Sequence, residues 1–158
     1  MHQAVIARIF VASGKGERVQ ERERVNALAG AGLEGDRYAE GKGSFSKPSP
    51  GPDRHVTLIE SEALEAVQRD YGIEVSAQAT RRNLVTRGAY LNHLVGRVFR
   101  VGEARLRGVE LCEPCALLEK EAGVAGARGA LLHRGGLRAE ILDGGGIAVG
   151  DPIEEITP

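Results

Sequence analysis

The chain opens with "AVIARIFVAS" (residues 4–13), an apolar, β-branched run that predicts a strand running into a Gly-Lys-Gly turn. "RVNALA" (24–29) alternates polar and apolar positions and predicts a second strand. "VTLI" (56–59) reads as a short buried strand, and "RRNLVT" (81–86) and "RVFRVG" (97–102) as two more, punctuated by Gly88 and Gly96. "ARLRGVEL" (104–111) keeps period two and predicts a half-exposed strand, and residues 136–156 predict two final strands around a Gly-rich turn. Three stretches are helical instead. "ESEALEAVQRDYG" (60–72) sets Leu64 and Val67 on one face and stops at Gly72. "PCALLEKEAG" (114–123) reads as a helix with Pro114 in its first position, and "ARGALLH" (127–133) as a third.

The stretch "GAGLEGDRYAEGKGSFSKPSPGPDRH" (30–55) is rich in Gly, Ser and Pro. Too few residues precede it for an independent domain, so it predicts a long, partly mobile loop inside one domain spanning 1–158. Strands outnumber helices, and the regular glycines predict a mainly β, barrel-like fold with a few short helices rather than a doubly wound sheet.

Composition narrows the function classes. Aromatic residues are 4% of the chain and Trp is absent, which argues against a base-stacking surface for single-stranded nucleic acid. A formal net charge of -1 supplies no general pull toward nucleic acid or an anionic membrane. Lys holds only 4 of the 21 basic positions, leaving 17 Arg, the better bidentate binder of phosphate and carboxylate; a genome-wide preference for Arg produces the same count. With no apolar run of about 18 residues and no signal-peptide layout at the start, the expected setting is a reducing cytoplasm. There a cysteine pair is more often chemical than structural.

Both cysteines lie in "LCEPCALLEK" (111–120), three apart. A strand runs into Cys112 and a helix begins at Pro114, which puts Cys115 in the first turn, where unpaired N–H groups favour a thiolate nucleophile. The strand–CxxC–helix context also suits a thioredoxin-type dithiol, although the motif comes late in a β-rich chain. A zinc half-site needs two more ligands, and His2, His55, His93 and His133 show no paired spacing. Two small buried side chains are the plainest reading.

Four further clusters bear on chemistry. "GLEGDRY" (32–38) presents Asp36 and Arg37 at the tip of a turn, as a charge pair or as an exposed ion pair of little weight. Arg54 and His55 stand at the mouth of a strand, where a histidine is often structural. In "RRNLV", alternation sends Arg81 and Asn83 to one face and Arg82 to the other. Arg134 precedes Gly135 and Gly136, where a guanidinium and backbone amides can hold an anion. Arg37, Arg54, Arg82 and Arg134 with one activated thiol suggest an anion pocket built around a sulfur.

"GLEGDRY", "DRHVTLIESEAL", "RRNLVTRG", "LVGRVFRVGEARLRGVELCEPC" and "RGGLRAEILDGGGIAVGD", in this order over about residues 20–156, resemble the MOSC domain. That module is named for the C-terminal part of molybdenum-cofactor sulfurases and also occurs as small bacterial proteins. The resemblance implies a β-barrel-like fold with short helices. It implies that Cys115 carries sulfur as a persulfide or meets the molybdenum of a molybdopterin-type cofactor. Asp36 is then expected to orient Arg37 or contact the ligand. Arg54, His55, Arg82, Asn83 and Arg134 are expected to hold phosphate or pterin groups, with Gly135 and Gly136 allowing close backbone approach.

Pyridoxal phosphate, which serves the sulfurases in an upstream domain, is expected only through a separate partner, since Lys15, Lys42, Lys47 and Lys120 have no recognisable setting for it. Expected partners are a cysteine desulfurase or a molybdoenzyme, together with a small anionic ligand, and neither nucleic acid nor membrane. Related proteins also suggest molybdenum-dependent reduction of N-hydroxylated compounds. The family does not require Cys112, which is left as a strand-end residue or a resolving thiol. A CxxC thiol–disulfide oxidoreductase and a non-catalytic sulfur-relay module remain the alternatives.

Overall fold

The computed structural model describes residues 3–14, 16–39 and 51–156. His2, Lys15, Lys42 and Lys47, and with them residues 40–50 of the expected long loop, lie outside the described residues.

The opening apolar run forms β1 (Val5–Val11), and β2 (Gln20–Arg22) returns beside it antiparallel. β3 (Arg24–Leu28) buries Val25 and Ala27 and exposes the residues between, as its alternation predicts, and pairs with the two-residue β4 (Gly32–Leu33). β5 (Val56–Glu60) and β6 (Leu84–Arg87) run parallel, which demands a crossover. Helix α1 (Ser61–Tyr71) supplies it and ends at Gly72, whose φ of 66° is the left-handed stop that glycine adopts without strain.

A one-turn helix, α2 (Ala77–Thr80), precedes β6 and is started by Ser76, whose hydroxyl accepts the Ala79 N–H at 3.2 Å. Four residues are too few to show a helical period. The chain continues through β7 (Val98–Val101), β8 (Ala104–Leu111), α3 (Ala116–Ala122), α4 (Ala127–Ala130), β9 (Leu137–Asp143), β10 (Gly145–Ala148) and β11 (Ile153–Glu155). Three strands therefore follow Gly136 where two were expected. The glycine turn lets β10 leave the main sheet and pair with β3.

The main sheet has the order β11-β7-β8-β9-β5-β6-β1-β2, and β10-β3-β4 form a second, smaller sheet. The ladder does not close into a complete barrel. The two sides do meet at one bridge, Val5 with Pro152, flanked by Ile6 N–H to Asp151 O and Ile153 N–H to Ala4 O, each 2.9 Å. Ile6, Ile9, Leu58, Leu84, Phe99, Leu106 and Leu137 fill the interior, and each large apolar side chain fully buried there contributes about 1.5–3 kcal/mol. A separate cluster built on Ala63, Val67, Leu118, Ala127 and Leu131 joins α1, α3 and α4. Among the described residues no helix is long and apolar enough to cross a membrane.

The second helix prediction needs a correction that matters for the site. Pro114 is not the first helical residue: α3 begins at Ala116 and Cys115 is its N-cap, with φ -126° and ψ 177°. Residues 112–115 lie between β8 and α3 in neither strand nor helix, and Cys115 itself has extended backbone.

Candidate functional site

The end of β8, the start of α3 and the α2–β6 junction wall a cleft of about 590 Å³, its open mouth included. Arg37, Tyr38, Thr57, Thr80, Arg81, Arg82, Cys112, Glu113, Cys115, Leu118, Glu121 and Arg138 line it. Guanidinium groups from three separated stretches of chain thus meet two thiols.

Asp36 and Arg37 are not an exposed pair at a turn tip. Asp36 is fully buried and its partner nearly so, joined at 3.0 Å from Arg37 Nη1 to Asp36 Oδ1. The same Oδ1 accepts the Ala12 N–H at 3.0 Å, and Oδ2 accepts the Tyr38 N–H at 3.3 Å. A carboxylate with three such donors is anchored, and it aims Arg37 across the Tyr38 ring, 4.7 Å from its centroid. Arg37 Nη2 also donates to Arg81 O at 3.3 Å.

The expected alternation in "RRN" breaks at Arg81, which closes α2 in the left-handed conformation, φ 58°. As a result Arg81 and Arg82 both reach the cleft. Arg81 donates to the carbonyls of Glu17 at 2.6 Å and Gly14 at 3.4 Å. Burial, and then the neighbouring Arg37 charge, hold its pKa below the ordinary arginine value. Arg82 is buried and donates to three carbonyls: Gly135 at 2.8 Å, Thr80 at 3.1 Å and Cys112 at 3.1 Å. It ties the cysteine segment, the glycine turn and α2 together. Arg138 lies 3.9 Å from the Glu110 carboxylate.

The two thiols differ. Cys112 is 1% exposed, and its backbone is held on both sides, by its own N–H to Gly136 O at 2.7 Å and by Arg82 at its carbonyl. Cys115 is half-buried, free of any disulfide, and packs beside the helical cluster at the start of α3. Between the two cysteines Glu113 faces the rim and holds His133 through its backbone N–H at 2.7 Å and Nδ1 at 2.6 Å.

Of the residues singled out in the sequence, the cleft brings together Arg37, Arg82, Cys112 and Cys115, with Asp36 directly behind Arg37. Arg54, His55, Asn83, Arg134, Gly135 and Gly136 do not line it. His55 is buried and its Nδ1 accepts the Ile141 N–H at 3.0 Å. Asn83 is buried too, accepting from Thr57 N–H and Oγ1 and donating to Phe10 O, each at 3.1 Å. Arg134 lies on another groove with Asp70, Tyr71 and Leu132. Gly135 and Gly136 make room for protein backbone: a Cβ would strike Cys112 O at the first and Leu58 O at the second. Arg81, Thr57, Tyr38 and Arg138 join the site without having been marked out, and Arg81 was missed because its backbone reverses the alternation.

The family model described as "MOSC domain" matches residues 46–154, well over half of the chain. The chain belongs to the MOSC domain family. This MOSC family is linked to proteins of the molybdenum-cofactor sulfurase type. Solved structures share the fold at low identity. The YuaD protein from Bacillus subtilis matches with a TM-score of 0.81 at 15% identity, covering 98% of this chain and 96% of its own. YiiM from Geobacillus stearothermophilus gives 0.73 at 17%, covering 98% and 75%, and YiiM from Escherichia coli gives 0.66 at 21%, covering 96% and 70%. No curated protein matches the chain. In this MOSC domain the matched stretch includes Arg81, Arg82, both cysteines and Arg138, while Arg37 reaches the same cleft from outside it, with Asp36 behind it.

Proposed function

We propose that this MOSC domain handles sulfur at Cys115 for a molybdenum-cofactor-type ligand held in the arginine-lined cleft. The observation that carries the reading is the asymmetry of the cysteines: Cys115 is the less buried of the two in the cleft wall, while Cys112 is buried with its backbone pinned. The donor set fits such a ligand better than a bare ion. No group of three His, Cys, Asp or Glu that could hold a metal occurs among the described residues. A metal that arrives already ligated by its cofactor asks the protein for one soft sulfur and for cations to meet a phosphate. Cys115 would be that sulfur, and Arg37, Arg81 and Arg138 the cations. When bound, the cofactor would supply a redox-active molybdenum centre. The chain's own residues bind the anion, hold the sulfur and fix the cysteine segment through Arg82.

The test is to express the protein in cofactor-competent cells and measure molybdenum, pterin fluorescence and cyanolysable sulfur, with intact-mass spectrometry. The expected result is bound pterin or one added sulfur atom, lost in Cys115→Ala and kept in Cys112→Ala. Absence of all three signals, or their survival in Cys115→Ala, overturns the reading. Equal loss in Cys112→Ala replaces it with the dithiol reading.

A further inference from the structure

The Cys115 cleft has a continuation. A second groove, lined by Arg18, Val19, Ser76, Gln78 and neighbouring residues, shares Ala79, Arg81 and Glu121 with the cleft. Arg81 is therefore a wall of both. Its guanidinium carries five N–H bonds, of which those to the Glu17 and Gly14 carbonyls are the described hydrogen bonds. Its hydrogen-bond partners are neutral oxygens, so its charge is steered and not neutralised by direct pairing. Arg37 stands close enough to depress its pKa, and Glu121 and Asp36 act on it only through space. Two neighbouring guanidiniums with one unpaired by a carboxylate form a place for a doubly charged anion.

Beyond Arg81 the character changes. Arg18 and Glu17 carry opposite charges, Glu121 stands between the two spaces, and Ser76 and Gln78 offer a hydroxyl and an amide. Among the described residues Arg18 has no ion pair or hydrogen bond through its side chain. A mixed lining of this sort suits an uncharged polar group with several donors and acceptors rather than a second phosphate.

We propose that the ligand of this protein is elongate: a head at Cys115, a phosphate or diphosphate over Arg81, and a polar, nucleoside-like tail in the groove of Arg18, Ser76 and Gln78. This deepens the reading of the Cys115 cleft as an anion site and rests on it for the head group only. A ligand ending at its phosphate leaves the second groove empty; one extended by a nucleoside fills both.

The probes are inorganic pyrophosphate and ADP, which differ by the nucleoside alone, and the readout is the rate of Cys115 alkylation by iodoacetamide, resolved from Cys112 by peptide mass spectrometry. ADP is expected to slow alkylation by roughly tenfold more than pyrophosphate at equal concentration, the factor a few polar contacts supply. Arg18→Gln is expected to remove that extra protection while leaving both pyrophosphate protection and the unprotected rate as they were. Arg81→Gln is expected to remove protection by both probes, with Arg81→Lys restoring part of it and reporting that the fold is intact. Equal protection by the two probes, or full ADP protection in Arg18→Gln, overturns the proposal. So does protection by both probes in a folded Arg81→Gln. With the protein first treated with dithiothreitol, which releases any persulfide sulfur as sulfide and leaves the thiol, the outcome is independent of whether Cys115 carries sulfur: loss of the cyanolysable sulfur signal alone defeats the function proposed above, and loss of the ADP increment alone defeats the tail.

Discussion

On the outer face of β7–β9, arginines pair with carboxylates across neighbouring strands, whereas at the cleft they bond backbone carbonyls and one buried aspartate. Arg105 meets Asp143 at 2.5 Å, Arg107 meets Glu140 at 2.8 Å and Arg97 meets Glu155 at 3.2 Å, all with substantial exposure of the arginine. At the other end, Arg82 meets three carbonyls and Arg81 two. The outer pairs stand in water, where each contributes about 0–1 kcal/mol and leaves no charge for a ligand. Arg81 and Arg82 have neutral partners, so they brace the loops and keep a positive field, while Arg37 is held by Asp36 and Arg138 lies near Glu110. Arginine abundance, ambiguous as a count, divides by environment into a solvated ladder and a site.

The largest effect that separates the two sets is expected at Arg82. Arg82→Leu leaves the carbonyls of Thr80, Cys112 and Gly135 without their buried donor and should cost about 3–5 kcal/mol in urea unfolding. In Arg82→Lys, one ammonium cannot match the fork, so a partial loss of stability should accompany an altered Cys115 alkylation rate. A loss below about 1 kcal/mol for Arg82→Leu would place Arg82 with the outer arginines. Asp36→Asn comes next. It keeps an oxygen for the Ala12 N–H but leaves the Arg37 charge buried and unmatched, for an expected loss of about 2–4 kcal/mol by the same measurement.

Much of the framework is readable from pattern alone, and the exceptions have identifiable causes. The strand predictions at β3 and β8 follow from runs long enough to show a period, those at β1 and β5 from apolar, β-branched runs, and Gly72 marks the end of α1. β2, β4 and α2 have two to four residues each and carry no period to read. The late start of α3 is tertiary: Gly136 O and Arg82 hold the backbone N–H and carbonyl of Cys112, so the Pro114 signal is overridden for two residues. In the site, Cys115 is legible as lying at the start of a helix, although it caps α3 rather than lying in its first turn, and Arg37 from the charge beside a glycine turn. That Asp36 would be buried is not, because its donors come from Ala12 in β1's exit and from Tyr38. Asn83 and His55 are polar residues in ligand-like positions, yet satisfying backbone groups within the sheet occupies them. Local sequence does not distinguish those two uses.

Glu60 tests the carboxylate side of the comparison. Burial raises its pKa above the ordinary glutamate value, with the Leu91 N–H at 3.1 Å and the nearby Arg134 and His93 only partly offsetting this. A carboxyl whose folded pKa lies above its unfolded one binds protons more readily when folded. Its contribution to stability is therefore most favourable below the unfolded value and declines as pH rises from about 4.5 through the raised folded value. Urea unfolding between pH 4 and 7 should show that decline in the wild type and a flatter profile in Glu60→Gln, which keeps an acceptor for Leu91. Parallel profiles would mean that Glu60 is as well solvated as the outer carboxylates.

The smallest effect is expected at Glu21, which stands for the outer set at its best geometry. Arg8 Nε and Nη2 grip the two carboxylate oxygens at 2.9 Å each, and Arg8 also lies 4.9 Å from the centre of the Phe10 ring. The hydrogen bonds to Arg8 hold the Glu21 pKa below its ordinary value, so the sign is opposite to that at Glu60. The stabilisation is present above the unfolded value and fades as pH falls through the lowered folded one. Even so, both side chains remain well exposed, and Glu21→Gln should cost no more than about 1 kcal/mol at pH 7, less in high salt. A double-mutant cycle of Glu21→Gln with Arg8→Gln isolates that coupling. If the coupling matched the several kcal/mol expected at Arg82, exposure would not be what separates the two arginine sets. The division between ladder and cleft would then have to rest on geometry alone.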